Sequence, residues 1–96
     1  MGLEDDITTL ETKYLASQSP ETGNKLALAL AEMIGRKASK RLVWSYFNQL
    51  TDVLRELGRY DELIAAADGV DPANSGVWDA QAAVTDWLQE QQRTLA

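Results

Sequence analysis

Cysteine and histidine are both absent from these 96 residues. The first absence excludes disulfides, thiolate metal sites and thiol nucleophiles. The second removes the commonest general base and the commonest metal ligand. Carboxylates, lysines and tyrosines would have to carry any chemistry, so the sequence points away from an enzyme: no catalytic residue, no metal site and no cofactor is expected. Glycine-rich phosphate loops, a nucleophile elbow and zinc-ligand spacing are missing as well. No stretch approaches the roughly 18 apolar residues of a membrane span. The opening Met1-Gly2-Leu3-Glu4-Asp5-Asp6 carries neither a basic leader nor an apolar run, which predicts a soluble, cytoplasmic protein without an export signal.

What is present suffices for a folded domain. With 45% of residues apolar, 25% charged and only two prolines, the composition lies outside the disordered class, which combines low hydrophobicity with high net charge. The length predicts one domain over residues 1–96. A domain this small buries only about 60–68% of its unfolded surface, so the three tryptophans weigh heavily in its core and dimerisation would be a natural supplement.

Period 3.6 runs through most of the chain, and strict alternation with β-branched enrichment is found nowhere. Leu3, Ile7, Leu10 and Tyr14 predict a helix from about Leu3 to Ala16, with Glu4, Asp5 and Asp6 opposing the positive end of its dipole. Ser19 and Pro20 suit an N-cap and first helical position, although Gly23-Asn24 could delay the start. Leu26, Leu30, Met33 and Ile34 form the face of that second helix, and Gly35 is placed for a left-handed C-terminal cap. Ser39 then caps the longest amphipathic stretch, where Val43, Phe47, Leu50, Leu54 and Leu57 recur at i, i+4, i+7, i+11 and i+14, widened by Leu42, Tyr46 and Val53. This stretch is expected to be the buried central helix, closed by Gly58. Asp61 is expected to cap a short helix to about Ala67, and a last helix from near Ser75 carries Val77, Val84, Leu88 and Leu95, with Ala80 and Trp87 beside them. The prediction is an all-α fold, a compact bundle of about five short helices.

Charge is unevenly distributed. Residues 1–24 hold five acids and one base, residues 25–59 three acids and seven bases, and residues 60–96 seven acids and one base, within a net −6. Four of the nine bases fall in Arg36, Lys37, Lys40 and Arg41. A basic middle between acidic flanks suits either a patch for an anionic partner or internal complementarity. Asp68, Asp71 and Asn74 miss the ligand order of a calcium loop and read as a turn, while Asp61-Glu62 and Asp5-Asp6 are explained as first-turn acids.

Two stretches resemble known families. The segment Leu57 to Trp78, LGRYDELIAAADGVDPANSGVW, resembles part of a tetratricopeptide-type repeat through Gly58 and Tyr60 at the turn, Ala67 at a small position and Pro72 at the exit. The resemblance implies a helical hairpin and contact with another protein. Ala31-Glu32-Met33-Ile34-Gly35 followed by Arg36-Lys37-Ala38-Ser39-Lys40-Arg41 is similar to a helix-turn-helix, which implies basic residues reaching phosphates. In that reading the base-reading face reduces to Lys40, Arg41, Ser45 and Asn48.

The sequence therefore predicts a small non-catalytic protein–protein interaction module: an adaptor, an assembly subunit, or a phage-type accessory or inhibitor protein. The expected binding residues are Arg36, Lys37, Lys40 and Arg41, with Trp44 and Trp78, which sit off the main stripes of their helices and would be interface anchors if exposed. The partner is expected to be another protein or a second copy of the chain. A nucleic-acid binder using the Arg36 to Arg41 cluster, or an acidic mimic of nucleic acid, are the alternatives.

Overall fold

The most enclosed helix is α2 (Pro20–Gly35), in which Gly23, Leu26, Ala27, Ala29, Leu30, Ala31, Met33 and Ile34 are all buried. Three alanines and a glycine on its circumference let neighbours approach from several sides. In the computed structural model, which describes residues 2–36, 40–74 and 76–95, with the side chains of Lys40, Ala73, Val77, Trp78 and Leu95 outside that description, α2 packs against α1 (Leu3–Ser17), α3 (Lys40–Glu56) and α5 (Val77–Leu95). The short α4 (Tyr60–Ala66) lies mainly against α5, and a 3₁₀ turn, Pro72–Asn74, joins them. Five α-helices and no strand are found among the described residues. The radius of gyration, 12.4 Å, matches the roughly 12.5 Å expected of a compact chain of this length.

The predicted central stretch, α3, is amphipathic rather than enclosed. Val43, Phe47, Leu50, Val53 and Leu54 are buried as its spacing requires, but Leu42 is 44% exposed and Tyr46 is half-buried. Thr51 is buried too, its hydroxyl donating to the Phe47 carbonyl at 2.9 Å. The difference from α2 follows from side-chain size, because large residues on one face of α3 hold neighbours off while alanines on α2 admit them.

Helix termini explain most boundary differences. The α1 helix ends with Gln18 in the left-handed region at φ 49°, its N–H donating to the Tyr14 carbonyl, a role that ordinarily favours glycine or asparagine. Ser19 occupies the N-cap of α2 without a side-chain bond, and the helix starts at Pro20 rather than Asn24. Gly35 is not a left-handed cap: it is the last residue of α2, and Arg36 follows at φ −77°. Gly58, at φ 72°, does close α3, with Arg59 N–H bonding to Leu54 and Gly58 N–H to Arg55, a Schellman arrangement. Asp61 does not cap α4, which begins at Tyr60 with Arg59 in the cap position. The predicted caps at Ser39 and Ser75 lie outside the described residues.

Cross-element bonds fix the directions. Gln81 of α5, itself buried, donates to the Ile34 carbonyl at the end of α2 at 2.9 Å, while Gln91 and Asn24 meet through Arg59. These two registers make α2 and α5 antiparallel. Substituting Gln81→Leu removes the donor and places a branched side chain against the helix end, so urea denaturation should show a loss of about 1–2 kcal/mol. Tyr14 ties α1 to α3 by donating to Glu56 Oε2 at 2.6 Å. That bond, then burial and the charge of Glu56, push the Tyr14 phenol up from 10.0 to about 12. A raised native value means its contribution is fully present below pH 10 and is lost as pH rises toward 12. Tyr14→Phe should cost about 1 kcal/mol at neutral pH and flatten that alkaline loss, as read by fluorescence melts against pH.

Candidate functional site

Arg36 and Arg41, two of the basic residues singled out by sequence, lie at the end of α2 and in the first turn of α3. Arg36 is exposed and forms an ion pair with Glu32 of the preceding turn at 3.7 Å, both side chains being more than half exposed. Such a pair contributes roughly 0–1 kcal/mol, so Arg36 remains accessible. Arg41 is exposed in the first turn of α3 and has no ion-pair partner among the described residues. Trp44 is half-buried, its ring meeting Phe47 edge-on with centroids 5.5 Å apart, so it is part core and part surface. Lys37 lies outside the described residues; Lys40 starts α3 and Trp78 lies in the first turn of α5, their side chains not described. Because Gln81 stands level with Ile34 in the antiparallel pair, the start of α5 reaches the end of α2. Trp78 therefore shares one end of the bundle with the basic turn.

Local electrostatics set this turn apart. Every other α-helix carries acid in its first turn: Glu4, Asp5 and Asp6 in α1, Glu21 in α2, Asp61 and Glu62 in α4, and Asp79 in α5. No acid occupies the first turn of α3, which opens Lys40-Arg41. Cations at the positive end of a helix dipole are unfavourable by about 0.3–1 kcal/mol each. Neighbouring Leu42 adds exposed apolar area. Further along, the exposed face of α3 carries Ser45, Asn48, Asp52 and Arg55, and the Asp52 carboxylate would meet phosphates if this face were laid in a groove of nucleic acid.

Two polar networks are structural, one that the sequence does not indicate and one within the turn expected at Asp71 and Asn74. Arg59, in the α3–α4 connection, donates through Nε to Glu62 Oε2 at 2.7 Å and through Nη2 to Glu62 Oε1 at 3.0 Å. The same guanidinium donates to Asn24 of α2 and, at 2.5 Å, to Gln91 of α5, and lies 5.7 Å from the Trp87 ring centroid. Hydrogen bonding by Glu62 raises the Arg59 pKa against the opposing effect of burial, and the reciprocal bond lowers that of Glu62. The second network centres on Asp71, which accepts from the Tyr60 hydroxyl at 2.8 Å and from Asn74 Nδ2 at 3.1 Å. Its oxygens are thus engaged in holding the turn after α4.

Among the described residues no helix is long and apolar enough to cross a membrane. Comparison of the chain with protein-family models, with curated proteins and with solved structures finds no match.

Proposed function

We propose that this chain is a non-catalytic protein-interaction module of the cytoplasm. It engages another protein through the turn before α3 and that helix's first turn, with Arg36, Lys37, Lys40 and Arg41 as charged contacts and Trp44 and Trp78 at the same end as apolar anchors. One observation carries the reading. The first turn of α3 alone, among the α-helices, opens on cations and no acid, and exposed Arg41 stands there with no ion-pair partner among the described residues, beside the 44% exposed side chain of Leu42. A cationic helix start that costs stability, with no ion pair for Arg41 among the described residues, is supported best as a surface kept for an external anion. The partner that fits is a protein presenting carboxylates around a small apolar patch.

The test places a photocrosslinking side chain at Leu42 of the full chain, expressed in its native host, and compares it with the same protein carrying Lys40→Glu and Arg41→Glu. A discrete protein adduct that the charge reversal removes supports the proposal, provided the melting temperature moves by less than about 4 °C, the equivalent of under ~1 kcal/mol. An adduct of two copies of the chain identifies a homodimer. Adducts to nucleic acid whose yield falls steeply with salt would replace the proposal with the helix-turn-helix reading. Adducts unchanged by charge reversal would overturn it.

A further inference from the structure

Leu15, in the last turns of α1, is 67% exposed and is the most exposed large hydrophobic side chain among the described residues. A lone surface leucine needs no explanation. This one, however, borders a groove of about 200 Å³ between α1 and α3, where Leu26 and Val53 supply the apolar lining and Glu11, Asp52 and Glu56 supply carboxylates. No lysine or arginine lines it. Across the Tyr14–Glu56 hydrogen bond it adjoins a second recess of about 530 Å³ that Leu57 also lines, so the depression continues past the end of α1.

The charge on this groove is uncompensated. Asp52 and Glu56 are one turn apart on α3, a like-charge spacing that costs an isolated helix about 0.2–0.5 kcal/mol. Arg55, within reach by sequence, instead lies over the Tyr60 ring at 4.6 Å. Glu56 is engaged with Tyr14, while Glu11 and Asp52 have no ion-pair partner among the described residues. A second copy of the chain fits poorly, because a two-fold contact through this patch would set carboxylates against carboxylates on subunits of net charge −6 each.

We infer that the α1–α3 groove is a docking site for a cationic amphipathic helix of a partner protein. Its apolar side chains cover Leu15, above the groove floor where Val53 is buried, and its lysines or arginines meet Glu11, Asp52 and Glu56. This surface lies on the C-terminal half of α3, apart from the basic first turn, and does not depend on the role proposed for that turn.

The probe is an amphipathic Leu/Lys peptide of about 18 residues, roughly 27 Å long as a helix and so comparable with the 32 × 27 × 25 Å molecule. Its control is the same peptide with Glu in place of Lys. Titrated into the isotopically labelled full chain, the Leu/Lys peptide should shift backbone amides of residues 11–15 and 49–56, and the Leu/Glu peptide should not. Leu15→Ser and Asp52→Lys should each weaken the dissociation constant about tenfold, a change of about 1.4 kcal/mol. Both positions are exposed, so unchanged melting curves show that the variants fold. Lys40→Glu with Arg41→Glu should leave the affinity within about twofold, since Arg41 lies about 16 Å along α3 from Asp52, beyond the roughly 8–10 Å Debye length. Several results would overturn the inference. These are no shifts, shifts centred on the acids of α5, equal binding of the Leu/Glu peptide, or an affinity indifferent to Leu15→Ser. Concentration-dependent self-association abolished by Leu15→Ser would also overturn it in favour of a dimer.

Discussion

Replacing Arg59 by alanine should destabilise the protein by about 2–4 kcal/mol, visible as a fall in melting temperature of roughly 10–25 °C. The estimate rests on what the guanidinium joins. It forms a two-bond pair with Glu62 of α4, donates to Asn24 of α2 and Gln91 of α5, and lies against Trp87. The Glu62 pair alone cannot supply that effect. The Glu62 side chain is 47% exposed, and a partly solvated ion pair contributes roughly 0–1 kcal/mol. The larger share comes from the amide oxygens of Asn24 and Gln91, part-buried acceptors that would lose their donor. Glu62→Gln is therefore expected to cost under about 1 kcal/mol, and Arg59→Lys nearly as much as alanine, because an ammonium cannot present the planar fork. Comparable losses for Glu62→Gln and Arg59→Ala in chemical denaturation would reduce the network to its ion pair.

The same network has an acid limit. The hydrogen bond from Arg59 lowers the Glu62 pKa below 4.5. A carboxylate depressed in the native state contributes stability that is present above its unfolded value and lost as pH falls through the folded one. In the Arg59→Ala protein, the part of the acid-induced loss below pH 4.5 that belongs to Glu62 should vanish.

The contrast between Arg59 and Phe47 shows what the sequence made legible. Phe47 belongs to a stripe, and a stripe is a local pattern: period 3.6 suffices to place Val43, Phe47, Leu50 and Leu54 in a core, as observed. The all-α class and five helices followed from the same rule, and Gly58 at the end of α3 from the left-handed cap that glycine favours. Arg59 joins residues 32 and 35 positions away, and no local pattern marks which of nine bases will be drawn inward. Gln81 escaped for the same reason, since a glutamine inside a helix reads as surface until the neighbouring helix end that it bonds is known. The order of enclosure was also illegible, because α3 has the larger apolar residues but α2 has the smaller ones, and closeness of approach depends on the second property. At the candidate site the basic residues are adjacent in sequence and so visible as a run, whereas the α1–α3 groove requires two helices to be brought together before it exists. Leu15 adjoins the buried Tyr14 in sequence but is 67% exposed, since it falls off the stripe that faces α2 and α3.

Gly23 carries the other large expected effect, and here two terms of opposite sign compete. In a helix interior, glycine to alanine normally adds about 1 kcal/mol of stability. At Gly23 a Cβ would lie 2.8 Å from Tyr14 Cε1, 3.1 Å from Leu57 Cδ2 and 3.3 Å from Leu57 Cδ1. The first distance demands movement, and the ring is poorly placed to give way: it is buried, and its hydroxyl is held 2.6 Å from Glu56. Overpacking of this kind costs about 1–3 kcal/mol, so Gly23→Ala should be destabilising by about 1–2 kcal/mol net despite its helix propensity. Gly23→Leu, which cannot be absorbed by a small shift, should cost at least about 3 kcal/mol. The cause is separable by a double-mutant cycle. With Tyr14→Ala the obstructing ring is gone, and the alanine at 23 should become neutral or stabilising, a coupling within the 0.5–3 kcal/mol span of about what contacting residues show. A stabilised Gly23→Ala protein with Tyr14 intact would mean that the α1–α2 approach relaxes readily. The absence of a side chain at residue 23 would then not be what sets the spacing of those two helices.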